Sequence, residues 1–356
     1  MEDVMEEILL RFPPDEPALL VRASLVCRPW RRLLADPAFG RRYRAFHRTP
    51  PTLGFFRGNY LYSTTPRFFP ATATPAPFST PSFGRSSWWV LGCRPWWVLD
   101  CRHGRALLRI GDPYGLVVWD PITGDQAHLP GRPAHPEIYR NAAVLCAVDG
   151  CDHLACHGGP FLVVRTGAWS TPAKIVLSSG SDVAMNPSAL VGKTLYFSLV
   201  RGSSVLLKYS LDGHALLVID APFRYMENKM ALMTAEDGSL RFALLDGLIG
   251  FGLQLWSLRA ARNGVAEWTR HTVIKLRTML SAAVGDPSSM LDVLGGFPEG
   301  ADTIIVRTHI GVYIVELKSG RVRKVCESND LYGMVPFVSF YTPDLAYARL
   351  QPAIED

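Results

Sequence analysis

The chain lacks the features that would commit it to a membrane, to a secreted scaffold or to a nucleic-acid groove. In 356 residues no uninterrupted apolar run approaches the roughly 20 residues that a spanning helix needs. The start, Met1-Glu2-Asp3, is acidic and quickly amphipathic, unlike a secretory leader. Cysteines number only seven, an odd count and too sparse for a disulfide-stapled fold, which predicts reduced thiols in the cytosol or nucleus. Lysine is absent before Lys174, so arginine supplies the positive charge of the first half. Acids offset those arginines, the net charge is only +5, and no single-sign block marks a nucleic-acid arm. No glycine-rich phosphate loop stands between a strand and a helix. Gly247-Leu248-Ile249-Gly250-Phe251-Gly252 has the glycines but reads as a turn. With 48% hydrophobic and 19% charged residues, the chain has material for one small module and one large β domain.

The first part reads as helical. Val4, Ile8 and Leu9 form an apolar stripe at helical spacing, and Phe12-Pro13-Pro14 ends it, because a residue before proline is pushed out of the α region. Asp15 is placed as the N-cap of a second helix, with Glu16 and Pro17 just inside. Leu19, Leu20, Ala23, Val26 and Cys27 continue an apolar face, Pro29 restarts the chain into Trp30, Leu33 and Leu34, and Asp36-Pro37 opens a last helix through Phe39, Tyr43 and Phe46. Residues 49–87 are rich in Pro, Ser, Thr and Ala and read as a linker, with Leu53-Gly54-Phe55-Phe56 as a strand inside it.

From about Trp88 the period changes to short strands between turns such as Asp212-Gly213, Asp237-Gly238 and Asn263-Gly264. A weak internal repeat runs through them: an apolar strand carrying an aromatic, then a polar turn. Its anchors are Trp119, Trp169, Tyr209, Trp256 and Tyr313, each preceded by a further strand in most copies. Their spacing is that of β-propeller blades, roughly 40 to 50 residues each. Five copies are countable. A sixth blade is expected from pairing Leu53 to Phe56 with the C-terminal strand Phe337 to Tyr341, which would hide the sheet edges.

The N-terminal residues carry a resemblance. Glu7-Ile8-Leu9-Leu10-Arg11-Phe12-Pro13 and Leu25-Val26-Cys27-Arg28-Pro29-Trp30-Arg31-Arg32-Leu33 resemble the F-box, and the continuation through Asp36-Pro37-Ala38-Phe39, Trp119-Asp120-Pro121-Ile122-Thr123-Gly124 and Val338-Ser339-Phe340-Tyr341 resembles the grass branch of plant F-box proteins with a propeller-like partner domain. The usual Leu-Pro before the first helix is replaced here by Met1-Glu2-Asp3, and the second Leu-Pro by Phe12-Pro13. The expected class is α+β multidomain: an all-α F-box over 1–48, a linker over 49–87, an all-β propeller-like domain of about six blades over 88–345, and a tail over 346–356. The resemblance implies docking on a Skp-type adaptor, and through it on a cullin-RING ubiquitin ligase, by Ile8, Leu9, Pro13, Leu20, Val26, Cys27 and Trp30. The propeller would hold a target protein whose identity strand patterns do not encode, with no nucleic-acid or membrane partner, in the cytoplasm or nucleus. A module of about 45 residues is too small to bury all these side chains alone.

Groups with chemical potential remain. Cys146, Cys151, Cys156 and His157, with His153 between, have zinc-type donors but loose spacing, and Cys146 reads as part of a buried strand; structural thiols are the expectation. Cys93, Cys101 and His103 form a similar loose group. Asp112, Asp120, Asp149, Asp212, Asp237 and Asp302 recur near turns, where carboxylates ordinarily bond the backbone. Trp88-Trp89 and Trp96-Trp97 can pack between blades or face a ligand. The expectation is a receptor with no catalytic residue, cofactor or metal of its own. Two rivals stay open: a ligase-independent interaction protein with a degenerate F-box, and a propeller enzyme or carbohydrate binder.

Overall fold

A computed structural model describes residues 2–57, 67–71, 97–110, 115–129, 141–166, 182–200, 204–220, 230–235, 237–245, 252–260, 266–284, 292–296, 303–327 and 334–348. Trp88, Trp89, Cys93, Trp96, Asp112, Trp169, Asp302, the 247–251 turn and most of the linker lie outside these. The chain divides into two compact units, one built from 1–134, 144–164 and 335–356, the other from 135–143 and 165–334.

The first unit opens with four helices: α1 (Glu2–Leu10), α2 (Pro17–Ser24), α3 (Arg28–Ala35) and α4 (Pro37–His47). Prolines begin α2 and α4, where the missing N–H costs nothing. Asp36 caps α4, its Oδ1 accepting from the Ala38 N–H at 2.8 Å. The cap expected of Asp15 falls one residue later, on Glu16, and carries no side-chain bond, because Pro17 itself takes the first helical position. Leu9, Leu10, Leu20, Ala23, Leu34, Phe39 and Tyr43 form the helical core, closed by Phe340 from the far end of the chain. The Tyr43 hydroxyl donates to the Phe12 carbonyl at 2.8 Å, fixing the turn after α1.

The same unit holds a four-stranded antiparallel meander of β3 (Trp97–Arg102), β4 (Arg105–Ile110), β5 (Gly115–Trp119) and β6 (Gln126–Leu129). Beside it is a three-stranded sheet in which β1 (Thr52–Arg57) lies between β2 (Arg67–Pro70) and β22 (Met334–Val338). Leu53–Phe56 thus shares a sheet with the C-terminal strand as expected, but that strand runs over Met334–Val338 rather than Phe337–Tyr341, and Phe340 beyond it joins the helical core. Phe56, Trp119 and Phe337 share one core, with Phe56 making edge-on contacts to the other two at 5.4 and 5.5 Å. A two-stranded ladder, β7 (Ala142–Cys146) with β8 (Phe161–Arg165), and the short helix α6 (Pro343–Ala348) complete this part. Helix α6 packs on α2, α3 and α4.

The second unit repeats the meander three times. The sets are β10 (Ala189–Val191), β11 (Thr194–Val200), β12 (Ser204–Ser210) and β13 (Leu216–Asp220), with β9 (Asp182–Val183) added to β11; then β14 (Met230–Thr234), β15 (Leu240–Leu245), β16 (Gly252–Ala260) and β17 (Ala266–Lys275); then β18 (Asp292–Gly296), β19 (Thr303–Thr308), β20 (Gly311–Glu316) and β21 (Val322–Cys326). Helix α5 (Leu276–Val284) follows β17, with Leu276 and Leu280 in the core formed by β14–β16, β19 and β20.

The repeat anchors Trp119, Tyr209, Trp256 and Tyr313 each fall on the third strand of their meander. The polar turn that follows is also repeated: Asp120 N–H to Asp125 C=O and Gly124 N–H to Asp120 C=O in one copy, Glu316 N–H to Arg321 C=O and Gly320 N–H to Glu316 C=O in another. The architecture is thus a helical F-box followed by an all-β, propeller-like region. Among the described residues four complete meanders and the sheet joining the chain ends make five blade-like units rather than about six, since β7–β8 has only two strands.

Candidate functional site

Helix α1 is apolar on two faces. Met5 and Leu9, four residues apart, turn into the helical core, and Val4 and Ile8, also four apart, turn to solvent at 65% and 52% exposure. The turn between α2 and α3 adds Leu25 and Val26 at 67% and 66%, followed by exposed Cys27 at the N-cap position of α3, without a side-chain bond to the helix. Scattered single apolar residues on a surface are ordinary. Here four large aliphatic side chains, two on α1 and two at the α2–α3 turn, are more than half exposed on one short helical module. Arg22, Arg28, Arg31 and Arg32 are exposed around the α2–α3 turn, giving it a basic rim.

The residues expected to dock divide accordingly. Ile8, Pro13, Val26 and Cys27 are exposed. Leu9 and Leu20 are inside the helical core, at 0% and 1% exposure, and Trp30 is half-buried against it. Val4 and Leu25, exposed to the same degree, were not among the expected residues; the i, i+4 spacing of Val4 with Ile8 was the signal for the first of them.

The module is fastened to the β structure of its own unit. Val21 and Leu345 pack on the core of β1, β3–β5 and β22. Buried Arg44 donates to Thr342 Oγ1 at 3.0 Å and lies 3.7 Å from Asp344 Oδ2. Burial lowers the Arg44 pKa, with Asp344 opposing that shift. Gly40 lets α4 approach: a Cβ there would sit 2.7 Å from the Asp344 carboxyl carbon.

A second constellation is assembled at the loop between β7 and β8. The tight β3–β4 turn has His103 and Gly104 at φ 53° and 76°, a hairpin geometry needing two positive φ values. That turn places the His103 ring 3.8 Å from His153 in a near-parallel stack, and His103 Nδ1 accepts the Cys146 N–H at 3.1 Å. Burial chiefly, with His153, Arg102 and Arg105 nearby, lowers the His103 pKa to about 3, so the ring is neutral. Cys146, Cys151, His153 and Cys156 then converge, each offering a donor atom within 4.8 Å of the others. Burial, then the neighbouring thiols, raises the Cys156 pKa. His157, expected among the zinc-type donors, turns away and meets Asp120 Oδ2 at 2.6 Å. Ala142–Leu145 of β7 are buried on both faces, as expected of that strand, and Cys146 is half-buried at its end.

Two of the turn aspartates bond backbone, while Asp212 Oδ1 accepts from Lys193 Nζ at 2.9 Å. Asp120 Oδ1 accepts from Ile122 and Thr123, and Asp237 Oδ1 from Ser239. Trp97 is half-buried under the Arg109 guanidinium, 5.8 Å from its ring centre.

Residues 2–42 match the F-box domain family, and this segment is an F-box domain. No curated protein matches the chain. Among solved structures, the chain is similar to one in a crystal structure of a nidogen/laminin complex (10% identity, TM-score 0.43, covering 82% of this chain and 100% of that one). It is also similar to the WD40 domain of SCAP from fission yeast (13% identity, TM-score 0.36, covering 68% and 53%). Both likenesses are distant, and the functional reading rests on neither. No helix among the described residues is long and apolar enough to cross a membrane.

Proposed function

We propose that this protein is the substrate-recognition subunit of an SCF-type ubiquitin ligase. The strip Val4, Ile8, Leu25 and Val26, with Pro13 and Cys27, docks on a Skp-type adaptor, while Leu9, Leu20 and Trp30 hold the helices that present it. The observation that carries this reading is the coincidence of the F-box match with the exposed aliphatic strip. The arginines Arg22, Arg28, Arg31 and Arg32 favour an acidic rim on the partner and would speed encounter.

In this role the chain performs no bond chemistry. It raises the effective concentration of a target's lysines near the conjugating enzyme carried by the rest of the ligase, and the propeller-like region supplies the target surface. The working compartment is the cytoplasm or nucleus, where that machinery operates.

The test is co-purification of the full chain with a plant Skp-type adaptor. Stoichiometric complex formation is expected. A well-folded chain that shows no binding would refute the proposal and favour an interaction protein acting outside any ligase.

A further inference from the structure

We propose that Cys146, Cys151, His153 and Cys156 form a structural zinc site that staples the β7–β8 loop beneath the F-box. The donor geometry fits the ion. A zinc ion held tetrahedrally at about 2.3 Å from sulfur and about 2.0 Å from nitrogen sets S–S edges of about 3.8 Å and S–N edges of about 3.5 Å. Cys151 Sγ and Cys156 Sγ are 3.6 Å apart, Cys156 Sγ and His153 Nδ1 are 3.5 Å apart, and all four donors lie within 4.8 Å of one another.

The surroundings prepare those donors. His153 holds a left-handed backbone, φ 60°, which costs a non-glycine residue energy and is kept where the surroundings demand it. That conformation brings its N–H to Cys151 Sγ at 3.4 Å, while His103 stacks on the ring. Gly150 and Gly158, at φ 69° each, make the turns on either side. Arg105 donates to the Cys156 carbonyl and, at 2.6 Å, to the Gly159 carbonyl, so a fixed positive charge stands beside a centre whose three thiolates exceed the charge of Zn²⁺ by one. Asp152 is exposed and its Oδ1 accepts the Leu154 N–H at 3.0 Å.

The loop also needs such a staple. From Ala147 to Pro160, Cys156 alone is buried, so apolar burial gives this segment little reason to keep one shape. Three thiolates and an imidazole are a borderline-soft set that suits zinc over magnesium or calcium, and four protein ligands leave no open position for catalysis. The consequence reaches the docking module, because Leu154, within the stapled loop, packs against the helical core of the F-box. Zinc would hold that buttress in place.

The test uses full-length protein produced in zinc-supplemented medium and purified under reducing conditions. Elemental analysis is expected to give about one zinc per chain, near zero for Cys151→Ser/Cys156→Ser, and an unchanged content for Cys326→Ser. Replacement by Co²⁺ should give the visible bands of tetrahedral thiolate cobalt. If the double variant does not fold, wild-type protein decides the matter by alkylation: Cys146, Cys151 and Cys156 should be protected until a chelator is added, and Cys27 reactive throughout. The proposal is overturned by zinc-free wild type that gives no cobalt bands, by a Cys151–Cys156 disulfide in the reduced preparation, by zinc retained in a folded double variant, or by alkylation of the three thiols that no chelator alters.

Discussion

Replacing Val26 by aspartate separates docking from folding. Val26 is 66% exposed in the free chain, so the substitution should leave the melting temperature within about a degree of wild type, as surface changes usually do. Fully burying a valine contributes about 1.5 kcal/mol or somewhat more. Roughly two-thirds of that, about 1 kcal/mol, is still to be gained when a partner covers it. A carboxylate in its place loses the gain and must be desolvated against apolar atoms, at roughly another 2–3 kcal/mol. The sum of about 3–4 kcal/mol corresponds to a Kd weakened by about 10²–10³-fold. Titration calorimetry of full-length protein with the adaptor reads this directly. Leu217→Asp is the control: that leucine is 53% exposed on β13, outside the F-box, and should leave the Kd unchanged. A Kd for Val26→Asp within about threefold of wild type, or an equal loss in the control, would refute the assignment of the strip as the docking face.

Three further outcomes follow from the core of the same unit. Asp344→Ala leaves the buried Arg44 guanidinium without its carboxylate and should cost about 3–5 kcal/mol in denaturant unfolding; adding Arg44→Met should recover much of it. Burial, with Asp15 adding to it, holds the Tyr43 pKa above the usual 10, so the unfolded chain ionises first and stability should fall by about 1.4 kcal/mol per pH unit as pH rises past about 10. Tyr43→Phe, measured from pH 9 to 11, should flatten that slope at a fixed cost of about 1 kcal/mol for the lost bond to Phe12; an unchanged slope would rule Tyr43 out as its source. A fragment of residues 1–48 lacks Phe340, Leu154 and the Asp344 partner, and its circular dichroism should show little helix unless adaptor is present.

The blade-like repeat was legible because it rests on strand periodicity, a local property. Trp119, Tyr209, Trp256 and Tyr313 mark equivalent strands, and the ends Leu53–Phe56 and Phe337–Val338 share a sheet. The residues expected to dock were named from the sequence without their orientation. Ile8 and Leu9 are neighbours in sequence and about 100° apart around a helix, so one faces solvent and the other the core. The Cys/His cluster was illegible for a different reason. Its assembly depends on positive φ at Gly150, His153 and Gly158 and on a hairpin turn some forty residues earlier. Spacing alone ranks His157 with the donors, and only the fold shows that Asp120 claims it while His153 turns inward.

The F-box and its neighbouring β structure act as one packed body because each supplies what the other lacks. Four short helices cannot enclose their own core, and the gaps are filled by Phe340 and, through the β7–β8 loop, by Leu154. In return, Val21 of α2 closes the core around Trp119 and Phe337. The buried Arg44 takes its hydrogen bond and its ion pair from Thr342 and Asp344, residues just past the C-terminal strand that pairs with β1. The orientation of the F-box helices against the β3–β6 sheet is thus set by packing that involves residues far along the chain, not by a tether at residue 48. A receptor that must hold lysines within reach of a separate catalytic subunit gains from that fixed geometry, because effective concentration falls as the connection between two binding sites becomes longer and looser. The loop carrying Leu154 joins this junction with little burial of its own, Cys156 alone being buried between Ala147 and Pro160.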